Sequence, residues 1–353
     1  MEIDLNFGKG KHGAAYGGAS GASSISPDAV AASMAKGDGG FGREQTSYFE
    51  HPVVRKAHWR WEIVWYFYLG GLMSGSGMLA ALADTVGSEE DKPLIRNGRY
   101  IAVVLTAASG ALLIKDLGVP EKFYNMLRIF KLKSPMSVGV YALSLFSAAA
   151  GLAVADQLYS DGILPINFGG FVPKLARNGL LALGAGLMAS YTGVLISATA
   201  IPVWYVGRKH IPAIFVCSAT STACAFNAAL LSLTGGSAET IERLEKIEVL
   251  ASSAEAALLL DFQMRAKEYG APFFAGTTGK KLKTYTLGLG IAAPVLMNLS
   301  SLLAKRGTAK HHRIKTVLAA GLTLFGGYVL RETIMEAGRA SADNARATLR
   351  PPE

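Results

Sequence analysis

The sequence predicts an all-α membrane protein, an eight-transmembrane-helix bundle with a flexible N-terminal tail. Half of the 353 residues are hydrophobic and only 17% are charged, which is too little charge for the surface of a soluble protein of this size. From Trp61 onward, apolar runs of about 18–25 residues recur, and each is long enough to cross roughly 30 Å of hydrocarbon. The 40 glycines supply small residues, which allow transmembrane helices to approach closely.

The sequence is expected to have three parts. Residues 1–48 are rich in Gly, Ala and Ser and lack apolar periodicity, which predicts a flexible tail or, alternatively, an arm that lies on a partner subunit. This segment has no basic start followed by an apolar run and a cleavage site, so we do not expect a secretory signal. Residues 49–345 form the membrane domain, and residues 346–353 form a C-terminal tail.

Eight apolar segments divide the membrane domain. Their expected bounds are Trp61–Ala83, Tyr100–Ile114, Met136–Ala155, Leu180–Trp204, Ile211–Thr234, Ile247–Met264, Tyr285–Ala304 and Ile314–Leu330. The sixth segment is the least regular because it carries charges. Eight spans place both termini on one side of the membrane. Basic residues in the tail favour the cytoplasmic side for the termini, by a narrow margin over the opposite loops.

Several classes of function lack the residues that they need. A haem in a bilayer is commonly held by histidines at depth, and no histidine lies in a predicted span, so a cytochrome is not expected. The histidines are His12, His51, His58, His210, His311 and His312. No Cys/His cluster has zinc spacing, so no metal site is expected. Cys217 and Cys224 are two helical turns apart, too far for a disulfide.

The net charge of +9 favours anionic lipid headgroups or an acidic partner. No basic patch interleaved with aromatic residues occurs, so we expect no nucleic-acid partner.

The first predicted helix opens with aromatic side chains around one carboxylate, in the stretch "HWRWEIVWYFYLGG". Trp61, Trp65 and Tyr66 lie within about a turn of Glu62. Tryptophan and tyrosine also form ordinary belts at membrane interfaces, which is one interpretation. The other is a pocket for a flat, amphipathic ligand whose polar atoms need a proton partner.

Ionisable groups inside a membrane are costly, so they are candidates for function. Asp84 lies 22 residues after Glu62, a rise of about 33 Å, so each of the two can sit at an interface. Asp84 is alternatively a solvated helix end. In the sixth predicted span, Glu248, Ser252 and Glu255 share one helical face. That face predicts a proton path inside the bundle or, alternatively, pairing with a basic residue of another helix.

The segment "LLIKDLGVPEKFYNMLRIFKLKSPMSVG" follows the second predicted span. The Lys115–Asp116 pair ends the span, Gly118 and Pro120 turn the chain, and a short basic amphipathic helix follows. Pro135 then begins the third span, where its missing N–H costs nothing. We expect a structured interfacial loop on the same side of the membrane as Glu62.

Together these stretches resemble the NrfD/PsrC family, the integral membrane subunits of polysulfide-reductase-type complexes and their formate-dehydrogenase-like relatives. The resemblance is carried by "YFYLGGLMSGSGMLAALAD", "KDLGVPEKFYNMLR", "SPMSVG" and "ASYTGVLISATAIPVW", and the C-terminal "EAGRASADN" resembles one branch. It covers about residues 50–345 of the sequence.

This resemblance implies a quinone-binding anchor in a prokaryotic cytoplasmic (inner) membrane, with menaquinone or ubiquinone as the quinone. It also implies that the polypeptide itself holds no haem or metal. The partners would be membrane lipids and a ferredoxin-like iron–sulfur subunit with [4Fe–4S] clusters, which in turn serves a molybdopterin catalytic subunit.

The resemblance also places the quinone among the first four helices. A tyrosine of the fourth helix that donates to a quinone oxygen is a family feature, and Tyr191 matches it. Some members have a histidine near the start of the first helix; here His58 is slightly early and Glu62 is the alternative in that role, so the proton donor stays open. The implied site residues are Trp61, Glu62, Trp65, Tyr66, Lys115, Asp116 and Tyr191.

A second hypothesis is a secondary transporter or proton channel without a redox role. Pro294 in the seventh span and the carboxylates of the sixth would fit it. Against it, the sequence has no pair of short, interrupted spans at matching positions of two halves.

Overall fold

The computed structural model describes residues 54, 57, 59–128, 130–131, 133–167, 169–303 and 309–343. Helices are the only regular secondary structure in these ranges, so the predicted all-α class is confirmed. The predicted tails, 1–48 and 346–353, lie outside the described residues.

Eight long helical elements make up the described part of the bundle. Seven are α1 (Trp61–Val86), α2 (Lys92–Asp116), α3 (Pro135–Ser160), α4 (Lys174–Ser197), α5 (Ile211–Thr234), α6 (Ala238–Ala266) and α8 (Ala309–Ala342). The other, α7, joins the helix Gly276–Lys281, the π-helix Leu282–Ala292 and the helix Ala293–Leu303. Short helices connect these elements at Glu89–Asp91, Pro120–Lys122, Tyr124–Arg128, Gly169–Phe171, Pro202–Val206, Gly207–Lys209, Lys267–Gly270 and Ala271–Phe274.

Seven helices of the described residues are long and apolar enough to cross a membrane, close to the eight predicted. The one that falls short is α6, at the position of the sixth predicted span. Its carboxylates point inward: Glu248 is hydrogen-bonded to Thr323 of α8, and Glu245 to Thr316, about two turns earlier on the same helix. These charges lower the mean hydropathy of α6 below that of a membrane span. The average does not register that the carboxylates are buried against another helix.

Several predicted boundaries differ from those in the structure, and those of α2 and α4 have identifiable reasons. The sequence predicts a second span from Tyr100, but α2 begins at Lys92, because its first turns carry polar side chains that pair with α1 and α3. The predicted fourth span reaches Trp204, but α4 ends at Ser197. Pro202 has no N–H and disfavours helix in the residue before it, so the chain starts a separate short helix there.

At the centre of the bundle lies α1, which packs against α2, α4, α5 and α8. Its contact with α5 is close because Gly75 has no side chain. A Cβ atom there would lie 2.5 Å from both the Ala219 carbonyl oxygen and the Ala223 Cβ. The small residues of the sequence therefore let two backbones approach, as in other membrane helix pairs. Because α1 is surrounded by these four helices, its different faces contact different parts of the bundle.

Candidate functional site

A cavity of about 450 Å³ lies among α1, α2, α3, α4 and the segment that joins α2 to α3. Its walls are mostly apolar, and its polar lining consists of Tyr66, Asp116, Ser144, Ser147 and Tyr191. Small-molecule sites have this character, a largely apolar concavity of about 300–1,000 Å³ with few polar groups.

Two tyrosine hydroxyls in this lining lack internal partners. Tyr66 and Tyr191 are buried, and within the described residues neither hydroxyl has a hydrogen-bond partner. Because a buried tyrosine hydroxyl usually finds a partner, both are available to a ligand oxygen.

Gly139 of α3 creates the space for the Tyr191 ring. A Cβ atom at this position would lie 1.7 Å from Tyr191 Cζ and 1.9 Å from its hydroxyl oxygen. Gly139, the last residue of the "SPMSVG" stretch, therefore leaves room beside α3 for the ring of Tyr191 from α4.

The cavity wall formed by α1 has helical spacing at Ile63, Tyr66 and Phe67, and Trp59 extends it from just before the helix. Trp59, Ile63, Tyr66 and Phe67 all line the cavity. The Trp59 ring stacks on that of Trp204, with centroids 5.6 Å apart, and meets the Phe67 ring edge-on at 6.2 Å. Sequence reasoning missed Trp59 as a wall, because this residue precedes the helix and helical spacing says nothing about where its ring lies.

Trp61 and Trp65 lie on a neighbouring face of α1, outside the cavity lining. Both are exposed, and with Lys115 and residues of α2 they form a shallow outer groove. The ammonium of Lys115 lies 4.3 Å from the centre of the Trp61 ring. A helix turns by about 100° per residue, so neighbouring aromatic residues in the sequence cannot all face one ligand.

Glu62, Lys115 and Asp116 form a charged cluster beside the cavity. Glu62 Oε1 lies 3.6 Å from Lys115 Nζ, whereas its Oε2 is buried without a hydrogen-bond partner among the described residues. Asp116 lines the cavity and is close enough for the Glu62 charge to act on it. Two carboxyl groups thus lie near one end of an apolar cavity, and one of their oxygens is unsatisfied.

Asp84 lies near the far end of α1 from Glu62, in a network of charged side chains. It accepts hydrogen bonds from Arg99 (2.7 Å) and Asn178 (2.9 Å) and pairs with Lys174 at 3.1 Å. Arg99 and Arg177 both also contact Asp156. Asp84 is therefore an ionic partner shared between helices, and the alternative of a simple solvated helix end does not hold.

The structure places Glu248, Ser252 and Glu255 on one buried face of α6. Glu248 accepts hydrogen bonds from Asn298 (3.0 Å) and Thr323 (2.7 Å). Glu255 accepts one from Ser221 at 3.5 Å and faces the buried guanidinium of Arg331. The predicted alternative, a basic partner on another helix, is present at Glu255, and the proton path along this buried face stays a prediction.

Glu245 of this face and Arg331, its cation on α8, were missed in the sequence. Glu245 is buried and accepts a hydrogen bond from Thr316 at 2.7 Å. Arg331 lies one residue beyond the predicted end of the last span, which continues to Ala342 in the structure. An arginine directly after the predicted apolar span was the signal in the sequence that could have identified Arg331.

One histidine lies close to the last predicted span. The last helix begins at Ala309 instead of Ile314, so His312 falls in the first turn of α8, two residues before that span. Its Nε2 lies 3.9 Å from Glu245 Oε1. Among the described residues, no group of three or more His, Cys, Asp or Glu is arranged to hold a metal ion.

Arg331 of α8, the cation that faces Glu255, reaches α1 at Gly71. Arg331 donates to Ser218 and lies against the Phe215 ring, 5.1 Å from its centre. A Cβ on Gly71 would lie 3.1 Å from Arg331 Nη2, so the missing side chain lets the guanidinium approach α1. Tyr68, two residues after Tyr66, lies on this side and feels the Arg331 charge.

Comparison with known proteins gives a family and two relatives. The family model described as "Polysulphide reductase, NrfD" matches residues 53–342. The C subunit of polysulfide reductase from Wolinella succinogenes is 27% identical over 307 residues, which cover 80% of this protein and 94% of that subunit. The NrfD homolog of Haemophilus influenzae is 24% identical over 309 residues, covering 80% and 94%. The protein therefore belongs to the NrfD/PsrC family of multi-pass membrane subunits of oxidoreductase complexes.

Proposed function

We propose that this protein binds quinone or quinol and exchanges electrons between the quinone pool and an iron–sulfur partner of a molybdopterin-type oxidoreductase. One observation carries the proposal: an apolar cavity of about 450 Å³ is lined by two tyrosine hydroxyls without partners among the described residues. A quinone ring offers two carbonyl oxygens as acceptors and needs aromatic or aliphatic walls.

The protein's own residues would orient the ring and deliver protons. Reduction of a quinone to a quinol takes up two electrons and two protons. Tyr191 and Tyr66 would donate hydrogen bonds to the carbonyl oxygens, and Asp116 with Glu62 would pass protons at the cavity end. The Glu62 oxygen that is buried without a partner among the described residues supports this role, since an unsatisfied buried polar atom is costly and is often explained by a catalytic role.

The electrons would come from, or go to, a [4Fe–4S] cluster of a ferredoxin-like subunit, with a molybdopterin subunit beyond it. The relative from Wolinella succinogenes is named as one subunit of a polysulfide reductase, which supports a multi-subunit assembly. We place the complex in a prokaryotic cytoplasmic membrane with menaquinone or ubiquinone as substrate and both termini in the cytoplasm.

A proton path through Asp84 and the α6 face (Glu248, Ser252, Glu255) is part of the proposal. The buried, hydrogen-bonded position of the α6 carboxylates supports it. The same face favours the second candidate function, a proton channel or transporter without redox chemistry. Purification separates the two, because only the first expects an iron–sulfur subunit and bound quinone to co-isolate with the protein.

Tyr191→Phe tests the site within the purified complex. Removing the hydroxyl is expected to slow quinol–acceptor electron exchange about tenfold or more, because one hydrogen bond to a ligand oxygen is lost. Tyr159→Phe, at an exposed tyrosine near the other end of α3, is the matched control and should exchange like the wild type. Full activity of Tyr191→Phe in an assembled complex would remove the site assignment.

A further inference from the structure

A second, larger cavity lies at the opposite end of the first four helices. It has a volume of about 760 Å³ and lies where α1 and α3 end and α2 and α4 begin. Its lining is strongly charged, unlike the apolar cavity described above. The cations are Lys92, Arg96, Arg99, Lys174 and Arg177, and the anions are Asp84, Asp156 and Asp161.

The positive charge of this lining is only partly neutralised from within. Five cationic side chains face three carboxylates, which leaves a surplus of two positive charges. Each carboxylate is already used: Asp156 contacts both Arg99 and Arg177, at 3.1 and 2.8 Å. Lys92 also pairs with Glu89 outside the cavity, but both side chains are exposed, and such pairs contribute little.

The cations form two layers. Arg99 and Arg177 are buried at the base of the cavity, where the carboxylates hold them in place. Lys92 and Lys174 are exposed at its mouth, with more than half of each side chain accessible. A fixed guanidinium floor below exposed ammonium groups is suited to an anion that enters from the membrane surface.

An apolar rim adjoins this charged mouth. Leu175 follows Lys174 directly, and Ile163 lies two residues after Asp161. Both are exposed, as is Phe171 in the connection between α3 and α4 (63–80% for the three). Free phosphate has no apolar part that could contact such a rim, whereas a phospholipid carries acyl chains as well as a negative charge.

We propose that this cavity binds the headgroup of an anionic phospholipid, with the phosphodiester against the cations and the acyl chains on the apolar rim. The site is separate from the quinone cavity, so it stands whether or not the protein binds quinone. We identify the ligand as a phospholipid because surplus positive charge lies beside exposed apolar side chains at one end of membrane-spanning helices.

Lipid titration with native mass spectrometry tests the proposal on the full-length protein with any co-purifying subunits. Phosphatidylglycerol is expected to bind more tightly than zwitterionic phosphatidylcholine. Lys92→Gln with Lys174→Gln should weaken phosphatidylglycerol binding about thirty-fold, from the typical contribution of each lysine near an anionic lipid. Lys122→Gln with Lys133→Gln, at exposed lysines between α2 and α3, is the matched control and should bind like the wild type.

Two further measurements keep the test decisive. Lys174→Arg keeps the charge and is expected to retain binding, which separates lost charge from lost folding. Inorganic phosphate at millimolar concentration is expected not to displace the lipid. Equal binding by the Lys92/Lys174 double variant, equal affinity for phosphatidylcholine, or displacement by inorganic phosphate would each overturn the assignment to a phospholipid.

Discussion

The contact between Gly139 and Tyr191 gives the sharpest prediction of the structure. In Gly139→Ala, the new methyl group would lie 1.7 Å from Tyr191 Cζ, 1.9 Å from the hydroxyl oxygen and 2.2 Å from Cε1. Ordinary carbon contacts lie at about 3.5–4.0 Å, so the ring must move by about 2 Å. The hydroxyl would leave the place from which it would bond the proposed quinone.

Gly139→Ala should therefore lower both stability and activity. Alanine in a helix is normally more stable than glycine by about 0.5–1 kcal/mol, so a loss must come from the clash. Overpacking of this kind costs about 1–3 kcal/mol. Quinol–acceptor electron exchange should fall at least as far as in Tyr191→Phe, because the same hydroxyl is displaced.

The assay pairs quinol oxidation by the purified complex with thermal unfolding. Gly151→Ala, on the same helix with open space around it, is the matched control and should be neutral or slightly stabilising. In a Tyr191→Ala background the ring is absent, so adding Gly139→Ala should cost less than about 0.5 kcal/mol. Wild-type melting and exchange in Gly139→Ala would refute the reasoning, because the ring could then not lie where the structure has it.

Three other outcomes are expected. Glu62→Gln should slow proton-coupled quinone turnover while leaving assembly intact, as seen by comparing exchange rate with subunit co-purification. Arg331→Met should lower the free energy of unfolding by about 3–5 kcal/mol, since it leaves Glu255 buried without its cation, and Arg331→Met with Glu255→Leu should recover much of that loss. Burial would raise the pKa of Asp161, but hydrogen bonds from Tyr100, Arg96 and Gln157 outweigh it and hold that pKa below its usual range. The stabilisation by this carboxylate is therefore present above its unfolded pKa and lost as pH falls through the lower folded value; the melting temperature of the wild type should approach that of Asp161→Asn in acid.

Sequence reasoning found the helices and part of the site because both depend on local patterns. Long apolar runs located the spans, and the resemblance of short motifs brought Tyr66, Asp116 and Tyr191 together, all of which line the same cavity. It did not separate Trp61 and Trp65 from the cavity, since the side of a helix that faces a neighbour is decided by tertiary packing.

The charged elements show the same limit more clearly. The sequence predicts too short an α6 because its inward carboxylates resemble a solvent-exposed segment when only hydropathy is considered. Arg331 falls outside the predicted last span for the same reason. Its partners, Glu255 and Ser218, belong to two other helices and are distant in the sequence, so no local pattern could name them.

The central helix has one further consequence. Tyr66 faces the apolar cavity, and Gly71, little more than one turn later, touches the guanidinium that accompanies the α6 carboxylates. Because α1 is one continuous helix, a ligand in the cavity that tilted or rotated it would also alter its spacing to Arg331. Ligand affinity and the protonation of the α6 carboxylates would then be thermodynamically linked, and each would influence the other by the same factor.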